Sequence, residues 1–232
     1  MIKRFYKTAS AAAQDDGFAV LLDGRVLKSP GRIPVVVPSR ALAEAIAAEW
    51  EAQTDEITPR AMPLTRLIYA AVDGAAEKHR IAEQALAFAR SDLLCYRADR
   101  PQSLAARQQA SWDPLLEWLA EHHGARLVTA TGITFAEQPE DALTRLASDL
   151  APLDASRLVG LHTVTTITGS LTLALALLDG RISAAEAFAL ARLDEDFQAE
   201  QWGRDAEAEA RARALGAELA AAERFLRLLA AN

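Results

Sequence analysis

The densest chemistry in the sequence lies at residues 194–209, where seven carboxylates accompany one arginine, Arg204, and a tryptophan stands among them. The run opens Asp194-Glu195-Asp196 and continues through Gln198, Glu200, Trp202, Gly203, Asp205, Glu207 and Glu209. At helical spacing Asp194, Gln198, Trp202 and Asp205 share one side, and Glu195, Glu200 and Glu207 another. Paired carboxylates do acid–base work on glycosidic bonds only when they stand across a cleft, which a row along one helix does not provide. A solvated helix face is the plain use of such a row. The tryptophan suits recognition better: Trp is a favoured interface anchor, and fixed negative charge around it sets register with a basic partner.

His162 is the second candidate. It lies in residues 158–178, a stretch free of Asp, Glu, Lys and Arg that carries Thr163, Thr165, Thr166, Thr168 and Thr172. An imidazole among hydroxyls furnishes either a hydrogen-bonded core residue or the general base of a polar pocket, so a small-molecule enzyme centred on His162 is the alternative to a recognition protein. Cys95, between Leu94 and Tyr96, has apolar neighbours that keep a thiol protonated and inert. His122 and His123 fall near the end of a predicted helix, where imidazolium complements the dipole. Adjacent helical residues point about 100° apart and do not readily share a metal. The sequence has no phosphate-binding glycine loop with its Lys and Ser/Thr, no G-x-G-x-x-G, no G-x-S-x-G and no H-E-x-x-H. The expectation is no catalytic residue, no metal, no cofactor and no bound nucleotide.

The elements that must position these groups change character along the chain. Residues 5–9, 18–22, 25–28 and 33–37 are short runs of β-formers, with Asp23-Gly24 as a two-residue hairpin signal. Pro38 ends the last of them, and Ser39 caps a helix that carries Leu42, Ile46 and Trp50 to about Gln53. Pro59 and Pro63 make residues 54–63 an extended connector. Helical stripes follow: Leu64, Leu67, Ile68 and Ala71; Ile81, Ala85 and Phe88; then Leu104 to His122 with Trp112, Leu115, Leu116 and Leu119, closed by Gly124. Trp112 and Asp113 read as structural, Asp113 before Pro114 shaping a helix start or kink. Residues 126–135, around Gly132, read as an irregular hairpin. Pro139 opens a helix to Leu150, and Asp154 caps one apolar core helix that runs through to Leu178. Ser183-Ala-Ala-Glu186 is a capping box for a helix continuing through Phe197, with a bend at Gly203.

Alanine supplies roughly a fifth of the chain and favours helix over sheet. The predicted class is therefore α+β, a small N-terminal antiparallel β-rich domain at 1–60 followed by a larger all-helical domain at 61–232. Lys and Arg number 25 against 32 Asp and Glu, a net charge of −7, which argues against a general nucleic-acid binder or an anionic membrane surface. Residues 158–178 have the length of a bilayer span, but their hydroxyls, imidazole and glycines suit a protein interior, so no membrane insertion is expected. A single cysteine forms no internal disulfide, and no Cys/His cluster has zinc spacing.

Five blocks carry a resemblance: Ala48-Glu-Trp-Glu-Ala-Gln-Thr-Asp-Glu-Ile57, Met62-Pro-Leu-Thr65, Ser91-Asp-Leu-Leu-Cys-Tyr-Arg97, Trp112-Asp-Pro-Leu-Leu-Glu-Trp118, and Leu193-Asp-Glu-Asp-Phe-Gln198 with Trp202-Gly203. In order and spacing they resemble the assembly chaperone family for the alpha subunit of the F-type ATP synthase, across nearly the whole chain. The resemblance implies an ATP-independent holdase without catalysis that binds the unassembled alpha subunit and shields the surface beta subunits later cover. By the same carry-over Asp194, Glu195, Asp196, Gln198, Trp202 and Gly203 are client-binding residues, with Glu195 leading. Trp50, Asp55, Asp92, Tyr96 and Arg97 are either client contacts or packing residues. The basic start lacks the apolar run of a signal peptide. About 21 arginines against 4 lysines suit a bacterial gene of high GC content. Bacterial cytoplasm is the expected location, with the mitochondrial matrix for eukaryotic relatives.

Overall fold

A computed structural model describes residues 2–132 and 134–231. The chain forms two compact units, one running to Lys78 with residues 154–160 and the chain from Arg224 onward, the other comprising 79–153 and 161–223. The class is α+β, as the sequence predicts.

In the first unit, β1 (Ile2–Lys3) pairs with β6 (Glu56–Ile57), while β2 (Ala9–Gln14), β3 (Gly17–Leu22), β4 (Arg25–Val26) and β5 (Val36–Val37) form a separate antiparallel sheet centred on β3. Asp23 and Gly24 both take positive φ, 47° and 77°, the geometry a two-residue hairpin loop demands. Leu22 accordingly sits opposite Arg25. The strand expected at 5–9 begins instead at Ala9. The Asp23 carboxylate accepts from the Lys7 and Thr8 N–H groups, at 3.0 and 2.9 Å, and holds those residues outside the ladder. Alanines are weak strand formers, yet residues 9–14 pair along the full length of β3, an instance of pairing outweighing propensity.

Helix α1 (Arg40–Glu51) starts where expected, with Ser39 Oγ accepting from Leu42 N at 3.3 Å, and it buries Leu42, Ala43, Ile46, Ala47 and Trp50. Burial contributes about 1.5–3 kcal/mol for each of the larger aliphatic side chains. Helix α2 (Pro63–Asp73) is fixed to α1 by Glu49, whose carboxylate accepts from Leu64 N, Thr65 N and the Thr65 hydroxyl, each at 2.8 Å. An anion at a helix N-terminus meets the unpaired N–H groups and the positive dipole end. With α2 tied in this way, the first unit continues to Lys78.

The second unit contains α3 (Lys78–Ala89, from residue 79), β7 (Tyr96–Arg97), α4 (Gln102–His122), β8 (Ala130–Thr131) and α5 (Glu140–Leu150). It also holds residues 161–168 of α6 (Ala155–Thr168), then α7 (Leu171–Leu178), α8 (Ala184–Ala191), α9 (Leu193–Trp202) and residues 206–223 of α10 (Ala206–Ala230). Its core is laid by α7, buried from Leu171 to Leu177, and by Leu104, Trp112, Leu115 and Leu119 of α4. Pro114 lies inside α4 and does not start a helix.

Three expectations are corrected. The apolar helix through Leu178 is two helices, broken at Gly169 with φ 71° and restarted by the Ser170 cap. The helix from Ser183 likewise stops at Ala191, and α9 begins at Leu193. Among the described residues, 126–135 form no hairpin: Ala130 and Thr131 pair in parallel with Tyr96 and Arg97, and the Gln138 side chain bonds both backbone groups of Val128 at 2.8 and 2.9 Å. Ile133 of that run lies outside the described residues.

Candidate functional site

Helix α9 has an inner and an outer face. Phe197 is buried, and the polar groups beside it are tied to α4: Gln108 donates to Asp194 at 2.7 Å, and Arg107 makes a two-pronged contact with Glu200 at 2.8 and 2.9 Å. The Arg107 guanidinium also lies 5.2 Å from the centroid of the Phe197 ring. The outer face carries Glu195, Asp196, Gln198 and Trp202, all exposed, Trp202 at 81%. Asp196 has a distant ion partner in Arg192, 3.6 Å away, whereas Glu195 and Gln198 have none among the described residues. The helix stops at Gly203, whose φ of 90° with ψ 167° is a conformation nearly confined to glycine. Asp205 therefore does not continue the α9 face; it caps the next helix by accepting from Ala208 N at 2.7 Å.

The turn at Gly203 opens a groove between α9 and α10 of about 730 Å³, walled by Trp202, Ala199 and Gln198 on one side and Ala208, Ala212 and Gly216 on the other, with Phe188 at one end. Arg204 and Arg213 along it lean on Glu209, at 3.1 and 3.9 Å. The groove thus has an apolar lining and a charged margin on which Glu195 is the free carboxylate.

The other sequence candidates lie elsewhere. Asp92 is fully buried where α6 breaks: its carboxylate accepts from Ser170 Oγ at 2.7 Å, Thr172 N at 2.9 Å, Thr172 Oγ1 at 3.0 Å and Leu94 N at 3.0 Å. Burial pushes its pKa up and these donors pull against that rise. Arg97 pairs with Asp113 at 2.7 Å and covers the Trp112 ring at 5.2 Å, and half-buried Tyr96 is its β7 neighbour. In the first unit Trp50 is 6% exposed and packs edge-on against Tyr6, whose hydroxyl donates to the Trp50 carbonyl at 2.6 Å. Asp55 is exposed, and its carbonyl accepts from Arg4 N at 3.0 Å.

His162 is half-buried, and burial lowers its pKa. The hydroxyls of Thr165, Thr166 and Thr168 donate to carbonyls four residues back in their own helix, at 2.8–2.9 Å, the habit of threonines in a packed helix. Cys95 is buried and its thiol is pushed up to about 12. His123 bonds Asp149 at 2.9 Å and lies 3.3 Å from Asp179. Among the described residues no three His, Cys, Asp or Glu side chains gather as a metal site, and no helix is long and apolar enough to cross a membrane.

Sequence reasoning missed Arg107, Gln108 and Glu49, the residues that hold these elements in place. Gln108 had a readable signal, since it occupies the i, i+4, i+8 stripe of Leu104 and Trp112, and a polar residue in a core stripe needs a buried partner.

The chain is similar to the crystal structure of Atp12 from Paracoccus denitrificans, at 42% identity, 98% coverage of both chains and a TM-score of 0.93. The Atu1473 protein of Agrobacterium tumefaciens is 44% identical, covering 98% of this chain and 86% of its own, with a TM-score of 0.92. The mitochondrial protein atp12 of Schizosaccharomyces pombe is 27% identical over 214 residues, 87% of this chain and 74% of that protein. The class so defined is an α+β chaperone. Residues 3–120 match the family described as ATP12 chaperone protein, and the chain belongs to that family, which serves ATP synthase assembly.

Proposed function

We propose that the protein is an ATP-independent holdase for the unassembled alpha subunit of F-type ATP synthase, shielding its subunit interface until beta subunits replace it, and that it works without catalysis. An unassembled subunit exposes a large apolar face that aggregates or mispairs unless covered. The observation that carries the reading is Trp202, 81% exposed beside an apolar groove and the free carboxylate of Glu195. An aromatic anchor with a charged margin is what a protein partner recognises. Release needs no fuel, because the alpha–beta contact displaces the holdase by mass action. Identity of 42–44% with two bacterial proteins supports a bacterial cytoplasmic setting.

Co-expression with the alpha subunit of the same organism is the test. A soluble complex is expected, and Glu195→Lys is expected to weaken capture by about tenfold. Its melting temperature should stay that of the parent, since the side chain is exposed and unpaired. Trp202→Ala should act in the same direction. Undiminished capture by both variants would remove α9 from the contact, and absence of any complex would remove the alpha subunit as client.

A further inference from the structure

The first unit holds a second concavity, unrelated to α9. It measures about 600 Å³, is open on one side, and is lined by Phe5, Tyr6, Trp50 and Tyr69 with Arg25 and Lys28 at its margin. Four aromatic residues thus line one hollow in a chain with only 6% aromatics. Phe5 is 69% exposed at the rim and contacts Tyr6 edge-on, with ring centroids 5.4 Å apart. Trp50 is more than nine-tenths buried, and its indole N–H has no acceptor among the described residues. Its ring lines the hollow, so the indole N–H signal reports on what binds there.

The margin specifies the sign of that ligand. Arg25 and Lys28 are exposed and have no ion partner among the described residues, in a protein whose net charge is −7. Asp23, an acid that also lines the hollow, is committed to the N–H groups of Lys7 and Thr8. The open side lets a bound side chain belong to a polypeptide that continues over the rim, as an anchor residue does at a protein interface.

We propose that this hollow is a peptide-docking site that takes a large apolar side chain flanked by carboxylates, from an acidic segment of a client protein. It carries charge opposite to that of the α9 face, so the two sites read segments of opposite charge. The proposal does not rest on the identity of the client and stands or falls separately from the α9 reading.

The test uses the full chain, 15N-labelled, titrated with N-acetyl-Glu-Phe-Glu-amide and with N-acetyl-Lys-Phe-Lys-amide while the through-bond-assigned indole N–H signal of Trp50 is followed. The acidic tripeptide should shift that signal and bind about fivefold to tenfold more tightly than the basic one, the ratio expected of two exposed ion pairs. Arg25→Glu with Lys28→Glu should invert the order, and Phe5→Ala should weaken both tripeptides; all three side chains are exposed, so these variants keep the fold. Equal binding of the two tripeptides, or an unmoved Trp50 signal at the solubility limit of the acidic one, overturns the proposal. Either result leaves capture of the alpha subunit by α9 to be judged on its own assay.

Discussion

Replacing Asp92 separates a positioning residue from a client contact. Its carboxylate is the acceptor for four donors: the N–H groups of Leu94 and Thr172 and the hydroxyls of Ser170 and Thr172. In Asp92→Ala the hydroxyls can turn elsewhere, but two buried backbone N–H groups cannot, at about 1–3 kcal/mol each. Loss of an anion from the N-terminus of α7 adds about 0.3–1 kcal/mol. The sum is about 2–7 kcal/mol, and at about 2–4 °C per kcal/mol for a chain of this size the melting temperature should fall on the order of 10 °C. Asp92→Asn keeps the shape but sets an amide N–H₂ against the Thr172 N–H, leaving one buried donor unpaired; about half the loss is expected. Calorimetry with urea melts reads both variants, with the midpoint moving and the slope unchanged. Alpha-subunit capture, measured per folded molecule at low temperature, should be that of the parent. An Asn variant melting within about 2 °C of the parent would refute the reasoning, and an Ala variant that melts normally but loses capture would return Asp92 to the client surface.

Two further outcomes follow from the same structure. Cys95 should resist iodoacetamide at about pH 8 in the folded protein and react fully in urea, because burial keeps the thiol protonated; labelling of the native chain would contradict its placement. Asp23 has its pKa lowered from 3.8, chiefly by the Thr8 and Lys7 N–H bonds, so the clasp on the hairpin is present above that value and lost as pH falls through the lower folded pKa. The amide signals of Lys7 and Thr8 should therefore titrate with a midpoint below 3.8, and a midpoint at or above it would show that the bonds are not made in solution.

The features legible in the sequence are those decided by neighbours along the chain. The Asp23-Gly24 hairpin, the Ser39 cap and the Ser183–Glu186 capping box depend on residues at most a few positions apart, and the structure has all three. Helix breaks were harder. Residues 158–178 and 183–197 look continuous because apolar periodicity persists across each interruption. The first is marked locally only by Gly169 and the Ser170 cap, and Asp92, far off in sequence, offers the fresh N-terminus of α7 a further acceptor. The candidate site shows the same division. Its residue types and their block were readable, but the allocation of faces was not: Glu200, placed with Glu195 by spacing, turns to Arg107 on α4, and Asp205 belongs to the next helix. Some residues of the resemblance blocks contact one another across blocks, Glu49 with Leu64 and Thr65, and Arg97 with Asp113.

The ties from Asp194 and Glu200 to α4 bear on how the protein is used over time. With Gln108 and Arg107 holding one side of α9 and Phe197 sunk beneath it, the opposite side is set before any client arrives. On the proposed reading little ordering entropy is spent at each encounter and nothing has to spring back at departure. A template of this kind leaves each cycle in the condition in which it entered, so a small pool of molecules can serve a much larger flow of newly made subunits.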